Sequence, residues 1–361
     1  MTGCERVVME LRGNLPSVRC DCCNRLLFRG VVETIEIKCP KCGAVQVLNR
    51  GEQSWLKPYG LPKNSRQQGT GDSGIAKREV TDSAGRLVAI PGRPQRVIAL
   101  NASNLGLYYA TGGKVVGRAS TEMLPPDIRE MVKNIPTVGI PPNPDRERII
   151  AMKPDLVLGM HVPMHHALAA VLEKTGIPVL LQALTHYTDV LETLRLYGDL
   201  SGNPEQAAGK IQAIEKRRRV LVERHGGKPS PKVLIIWGIA EGLYTALSNS
   251  FVGDLVKRLG GVNVSDMAAP IDANLCYAPF SPELVAGLQP DVILLISHSC
   301  ETQVKDRFHS ELTGPMWQRL YAVQQNRVYQ LPYHLFAVNP GPQLEEALTV
   351  LSEFLYAGPV S

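Results

Sequence analysis

Seven short runs of apolar residues follow residue 95, and they constrain the fold more than any other feature of the sequence. Consecutive apolar residues, in contrast to an alternation of polar and apolar ones, are typical of strands buried on both faces of a parallel sheet. The segments between the runs carry helical patterns, so we predict an α/β architecture in which helices cover the sheets. The predicted strands are Arg96–Leu100, Lys114–Gly117, Asp155–Leu158, Pro178–Leu181, Lys232–Ile236, Asp291–Ile296 and Arg327–Leu331.

One long helical segment interrupts this alternation of strands and helices. It begins at Asn203–Pro204, where proline suits the first helical position, and it continues to His225 before Gly226–Gly227 ends it. At the rise of an α-helix, its roughly 22 positions would span about 33 Å, the width of a small domain. We therefore expect two Rossmann-like lobes joined by a long interlobe helix.

Four cysteines near the amino end form two C-x2-C pairs, Cys20 with Cys23 and Cys39 with Cys42. This spacing suits one tetrahedral Zn2+ held by four thiolates. A module this short has almost no core, so a bound metal would supply much of its folding free energy. The segment Glu33–Lys38 alternates polar and apolar residues, which predicts one strand of a small ribbon. A pair of disulfides is the alternative to this zinc ribbon.

The sequence around these cysteines, at residues 18–28 and 35–43, resembles the small Com proteins of Mu-like phages. Those proteins are zinc-ribbon translational regulators, so the resemblance implies RNA or DNA as a possible partner. Residues 1–79 carry 13 Lys+Arg against 8 Asp+Glu, and the rest of the chain is neutral. This small excess of positive charge fits either a nucleic-acid contact or an ordinary solvated surface.

Length and composition predict a globular protein of several units. The chain has 361 residues, of which 44% are hydrophobic and 20% charged. It has no apolar stretch long enough to cross a membrane and no apolar export segment near the amino end, so we expect a cytoplasmic monomer without membrane insertion. We predict a zinc ribbon over 1–50, a flexible linker over 51–77, an N-terminal lobe over 78–186, interlobe helices over 187–226 and a C-terminal lobe over 227–361.

Four blocks in the second part of the chain resemble ABC-transporter substrate-binding proteins of the iron-siderophore, haem and cobalamin class. They lie in order at Val80–Arg86, Pro94–Leu100, Arg146–Leu158 and Ser281–Leu294, and the resemblance extends over about residues 78–357. It implies a periplasmic or cell-surface binding protein that captures an iron chelate, haem, corrinoid or other metal complex between two lobes. It also implies delivery of that complex to an ABC permease.

The same resemblance implies a docking role for Glu147 and Glu283. In that family one glutamate on each lobe meets arginines of the permease, and these two residues occupy the matching positions. Alternatively, each is an exposed glutamate in the first turn of a helix, where a negative charge is favourable.

Candidate ligand-binding residues follow the predicted strands, since open parallel sheets bind ligands beyond the carboxyl ends of their strands. Histidines are concentrated there, and His or Met of the segment Met160–His166 is a candidate ligand for a transition metal or haem iron. The alternative is that these side chains only line a pocket or bond to the backbone. The predicted set is Asn101, Ser103, Met160, His161, His165, His166, Tyr187, Trp237, Tyr277, His298, Tyr333 and His334.

The sequence contains no Walker loop, nucleophile elbow or H-E-x-x-H pair, so we do not expect an enzyme. The leading hypothesis is the substrate-binding component of an ABC-type uptake system. The alternative is a cytoplasmic ligand sensor or regulator whose zinc ribbon contacts nucleic acid or a protein partner.

Overall fold

A computed structural model divides the chain into two compact units, residues 1–72 and 73–361. The residues that the structure describes are 17–19, 26–29, 34–38, 45–49, 77–239, 242–267, 276–281, 285, 287–297, 308 and 314–357.

The first unit contains two antiparallel strand pairs. Strand β1 (Ser17–Arg19) pairs with β2 (Leu26–Arg29), and β3 (Thr34–Lys38) pairs with β4 (Val45–Asn49). The predicted ribbon strand at 33–38 is therefore confirmed. The cysteines predicted to bind zinc, Cys20, Cys23, Cys39 and Cys42, lie outside the described residues.

The second unit begins with an antiparallel hairpin and a four-stranded parallel sheet. The hairpin joins β5 (Lys77–Thr81) to β6 (Leu87–Pro91). The sheet has the order β12-β11-β7-β8. A separate short antiparallel pair, β9–β10, comes between β8 and β11 in the sequence. These strands are β7 (Val97–Ala99), β8 (Val115–Arg118), β9 (Gly139–Ile140), β10 (Asn143–Pro144), β11 (Leu156–Met160) and β12 (Val179–Gln182).

A second sheet of six strands follows, with the order β16-β14-β13-β17-β18 and with β15 also paired to β13. Its centre is parallel, whereas β14 and β16 form an antiparallel edge. The strands are β13 (Lys232–Ile239), β14 (Gly242–Ala246), β15 (Val262–Asn263), β16 (Tyr277–Pro279), β17 (Val292–Ser297) and β18 (Val328–Gln330).

Helices surround both sheets in the described part of the chain. The long helix α6 comes between the two sheets in the sequence. It packs on α5 and α10, and this contact buries one of its faces, which consists of Ala207, Ile211, Ile214 and Leu221. The helices are α1 (Ala102–Ala110), α2 (Pro126–Met131), α3 (Arg146–Ala151), α4 (Pro163–Leu172), α5 (Tyr187–Ser201), α6 (Pro204–Arg224), α7 (Phe251–Arg258), α8 (Tyr321–Gln324), α9 (Tyr333–Phe336) and α10 (Leu344–Tyr356). Each described helix is too short or too polar to traverse a lipid bilayer.

The predicted α/β class is confirmed, and each of the seven predicted strands overlaps an observed one. Residues 156–159, 179–182 and 292–297 are buried throughout, as expected for parallel strands covered on both faces. The hairpin β5–β6 and the antiparallel edge of the second sheet were not predicted. These strands contain exposed or half-buried residues, so they differ from the strands covered on both faces that the apolar runs indicate.

Candidate functional site

A cavity of about 310 Å³ lies at the carboxyl ends of the strands of the first sheet. Segments that follow β7, β8, β11 and β12 meet there, and a loop after α9 closes one side. This is the edge at which open α/β sheets bind ligands. The described lining consists of Asn101, Ala102, Ser103, Thr121, Met123, Pro141, Met160, His161, Val162, Gln182, Ala183, Leu184, Thr185, Val338 and Asn339.

Four of the predicted ligand-binding residues line this cavity: Asn101, Ser103, Met160 and His161. They come from two places, the start of α1 and the end of β11. The structure therefore brings together residues that lie about 60 positions apart in sequence, because β7 and β11 are neighbouring parallel strands.

His161 is paired with a second predicted residue, His166, in the first turns of α4. The Nε2 atom of His166 lies 3.2 Å from Nδ1 of His161, and the two rings are nearly perpendicular. Burial, followed by the neighbouring His166, lowers the pKa of His161 and favours its neutral form. When neutral His161 carries its proton on Nδ1 and donates it to His166, the Nε2 atom of His161 keeps a free lone pair.

The predicted residue His165 is buried beside the cavity and bonds to the backbone. Its side chain is fully buried, and its Nδ1 accepts the backbone N–H of Met160 at 2.9 Å. The proton must then reside on Nε2, which donates to the carbonyl of Pro141 at 2.8 Å. Both ring nitrogens are thus used to hold the backbone of two cavity-lining segments, and neither is open to a ligand.

The structure places Tyr187, another predicted residue, in the hydrophobic core. It begins α5, it is 3% exposed, and its backbone N–H donates to Asp254 Oδ2 at 2.8 Å. The Arg258 guanidinium lies 4.8 Å from the centre of the Tyr187 ring. These contacts join α5 to α7 and leave Tyr187 outside the cavity lining.

The predicted residues of the second sheet and of α9 do not join this described lining. Trp237 of β13 and Tyr277 of β16 pack with their ring centres 3.9 Å apart and their ring planes tilted by 45°, and burial raises the pKa of Tyr277. Neither they nor Tyr333 and His334 of α9 are among the described lining residues. His334 is instead an exposed side chain with Nε2 at 4.0 Å from Glu346. His298 lies outside the described residues.

Sequence reasoning missed two amides of the lining, Gln182 and Asn339. Gln182 is the last residue of β12 and lies one position beyond the predicted end of that strand at Leu181. Asn339 follows the short helix α9, which separates it from β18. Its Nδ2 donates to the carbonyl of Leu184, and its carbonyl accepts the Ser103 hydroxyl. The Asn-Pro-Gly sequence at 339–341 was the available signal, since it marks a turn.

Beneath the cavity, Asn104 of α1 anchors the end of β11. This side chain is completely buried, its Nδ2 donates to the carbonyl of Gly159 at 2.9 Å, and its Oδ1 accepts the hydroxyl of Tyr197 at 2.9 Å. Because Gly159 precedes Met160 and His161, this network fixes the position of the segment that borders the cavity.

Of the two predicted docking residues, Glu147 lies among the described residues. Glu147 is exposed in the first turn of α3, whose backbone N–H groups are capped by Asp145. Its position fits both the docking interpretation and a favourable interaction with the helix dipole. Glu283 lies outside the described residues.

Comparison with known proteins agrees with this architecture. The family model for periplasmic binding protein matches residues 97–335, and that for Mu-like prophage protein Com matches residues 14–53. The high-affinity heme uptake system protein IsdE of Staphylococcus aureus (strain MRSA252) is 24% identical over 226 residues, which are 62% of this chain and 75% of IsdE.

Two solved structures share the fold. An ABC transporter substrate-binding protein from Listeria monocytogenes EGD-e has a TM-score of 0.63 and 25% identity, covering 74% of this chain and 100% of that chain. Staphylococcus aureus IsdE complexed with heme has a TM-score of 0.62 and 23% identity, covering 72% of this chain and 98% of that chain. Since the family match covers more than half of the chain, from the first strand of the first sheet into the short helix α9, the chain belongs to the periplasmic binding protein family.

Proposed function

We propose that this chain is the substrate-binding component of an ABC-type uptake system and that it captures a metal complex, of the haem, corrinoid or iron-chelate kind, in the described cavity. The observation that carries the proposal is the position of His161, which borders an otherwise neutral cavity at the carboxyl ends of parallel strands. The heme-binding relative IsdE supports the same class of ligand.

The cavity chemistry favours a metal that arrives already complexed. Its volume of about 310 Å³ lies at the lower end of the range for small-molecule sites, and Met, Leu, Val, Pro and Ala contribute much of the wall. His161 offers one nitrogen, and one protein ligand suits a metal whose other positions are filled by a macrocycle or chelator. Reversible binding without reaction is the activity that such a site supports.

His166 would orient His161 for this task. Metal-bound histidines usually donate their second ring N–H to a neighbouring acceptor, which fixes the tautomer and the plane of the ring. His166 Nε2 stands 3.2 Å from Nδ1 of His161 and offers that acceptor. His165 supports the pair from below by holding the backbone of Met160.

Delivery to a permease would involve Glu147 and Glu283, one from each part of the binding unit. An exposed carboxylate at the start of α3 is free to meet an arginine of a partner. In this proposal the chain acts as a monomer, since one cavity and one pair of docking glutamates suffice.

Thermal unfolding with a ligand panel tests the proposal. Haem, cobalamin, a ferric siderophore and divalent metal salts are each added to the full chain, and a true ligand must raise the midpoint, because binding to the native state stabilises it. The shift should be lost in His161→Ala. His225→Ala is the matched control, since His225 stacks on Tyr356 away from the cavity. A panel that leaves every midpoint unchanged would refute the proposal.

A second function, that of a cytoplasmic sensor, is favoured by the Com match over residues 14–53. Cys20, Cys23, Cys39 and Cys42 fit Zn2+, because their thiolates have the required spacing and each pair lies in the connection between two paired strands. A thiolate site also suits a reducing compartment. Salt-dependent RNA or DNA binding that disappears in Cys39→Ser would support this function, as would recovery of the chain from the cytosol on fractionation.

A further inference from the structure

The positive charge of the binding unit is concentrated on helix α6 and the turn that follows it. Residues 204–228 carry seven Lys+Arg against three Asp+Glu, whereas the other residues of 80–361 carry 19 against 23. Six of the seven cationic side chains are exposed: Lys210, Lys216, Arg217, Arg219, Arg224 and Lys228. A local excess of this kind attracts a negatively charged partner, even though residues 80–361 as a whole are neutral.

Three of these cations form a row along the helix, which we call the α6 stripe: Lys210, Arg217 and Arg224. They are seven residues apart, which is close to two helical turns, so they lie on the same side of α6 at intervals of about 10.5 Å. The whole stripe spans about 21 Å. Because α6 is held by its packing on α5 and α10, the spacing of the row is set by the fold before any partner binds.

Carboxylates of the described structure do not neutralise the α6 stripe. Side chains on one helix meet at separations of three or four residues, and no Asp or Glu occupies such a position relative to Lys210, Arg217 or Arg224. Among the described residues, no ion pair involves these three side chains either. The pKa of His225 reflects the same excess of positive charge, since burial and then Lys228 and Arg224 lower it. The stripe is therefore available to the anions of a partner.

The composition of α6 favours a duplex backbone over a membrane or a single strand. Helices that lie in a membrane surface insert large apolar side chains, whereas the large apolar side chains that α6 exposes are two valines, Val220 and Val222. Proteins that bind single strands stack aromatic side chains on the bases, and α6 contains no aromatic residue. Arginine, in contrast, binds phosphate through two parallel hydrogen bonds, and two of the three residues of the stripe are arginines.

We propose that the α6 stripe binds the phosphate backbone of double-stranded DNA without reading its sequence. The phosphates of a duplex form a regular row of negative charge, and each one that a cation neutralises releases condensed counterions. The stripe residues are not among the described lining residues of the cavity, and they lie outside the Com match at residues 14–53. This activity is therefore additional to the capture of a metal complex and does not depend on it.

A salt titration of DNA binding tests this proposal. The full chain is added to a short fluorescein-labelled duplex of arbitrary sequence, and fluorescence anisotropy gives the affinity at several salt concentrations. The triple variant Lys210→Gln, Arg217→Gln, Arg224→Gln should bind at least about tenfold more weakly, and its slope of log affinity against log salt should be smaller by about 2–3, since each lost phosphate contact reduces the slope by about 1. The matched control, Lys133→Gln, Lys153→Gln, Lys174→Gln, removes the same charge at exposed positions elsewhere and should keep the slope of the wild type.

The outcomes separate this proposal from the capture of a metal complex. Absence of duplex binding by the wild-type chain, or equal slopes in the triple variant and the control, overturns it. So does a chain that binds vesicles of phosphatidylserine and phosphatidylcholine but not the duplex. If the triple variant does not fold, Arg217→Gln and Arg224→Gln decide the question, because each alone should reduce the slope by about 1. The ligand-induced thermal shift, measured separately, should be the same in these variants as in the wild type.

Discussion

Asp254 of α7 accepts the backbone N–H of Tyr187 at 2.8 Å and thereby ties the start of α5 to a helix of the second sheet. The same carboxylate is held by Arg258 Nε at 2.9 Å, and the Arg258 guanidinium covers the Tyr187 ring. One mostly buried carboxylate thus joins the segment that leaves the cavity at Thr185 to the second half of the binding unit.

Replacing Asp254 by alanine should destabilise the binding unit by about 2–4 kcal/mol, because it leaves the N–H of Tyr187 and the charge of Arg258 without their partner. Urea denaturation followed by circular dichroism measures the change. Glu223→Ala, on the exposed surface of α6, is the control and should change the free energy of unfolding by less than about 0.5 kcal/mol. A loss for Asp254→Ala no larger than that of the control would contradict this account of the junction.

His165 should make the stability of the protein depend on pH. Burial lowers the pKa of His165, against the opposing effect of its bond to Pro141, so protonation is easier in the unfolded chain. Stability is then complete above the unfolded value of about 6.5 and decreases as the pH falls toward the folded value. His165→Leu should be less stable at pH 8 and should lose less stability between pH 7 and pH 5 than the wild type. Identical pH dependence of the two unfolding midpoints would show that His165 does not titrate in this way.

Asn104 should be among the most sensitive polar positions. Asn104→Ala leaves the buried carbonyl of Gly159 and hydroxyl of Tyr197 unpaired, which should cost about 2–4 kcal/mol. Tyr197→Phe removes one of these bonds and keeps the other, so a cost of about 1–2 kcal/mol is expected. Denaturant titration of both variants provides the comparison, and a smaller loss for the alanine variant than for the phenylalanine variant would be inconsistent with the network.

Glu147 should matter for uptake and not for ligand capture. Glu147→Arg reverses the charge of an exposed residue that is not among the described lining residues of the cavity, so the ligand-induced thermal shift should remain, whereas permease-dependent uptake should fall at least about tenfold. Glu205→Arg is the matched control, since Glu205 also occupies the first turn of an exposed helix end. Equal uptake by the two variants would exclude docking through Glu147.

Seven parallel strands of the two sheets were predictable, because strands of this kind carry continuous apolar runs such as 156–158 and 292–296. The long helix α6 was predictable for a similar reason, as proline at its start and glycines after its end mark its bounds. The edge at which the cavity forms followed from the parallel order of the strands. In each case the signal lies within a few consecutive residues.

The roles of individual histidines and amides could not be predicted in the same way. His165 and His161 lie four residues apart at one strand end, yet the first is fixed by Pro141 and the second lines the cavity. Asn339 joins the lining because its side chain reaches Leu184, 155 positions away in sequence. The roles of these side chains depend on contacts between segments that are distant in sequence, and a local sequence pattern does not predict such contacts.

An absorbance titration of the full chain with iron protoporphyrin IX tests the central claim most directly, with His161→Ala and His225→Ala measured beside the wild type. The account predicts saturable binding of one equivalent with a shifted Soret band, a changed band and weaker binding in His161→Ala, and no change in His225→Ala. Binding that is as tight and spectrally the same in His161→Ala, or that never saturates, would contradict capture of a metal complex in this cavity.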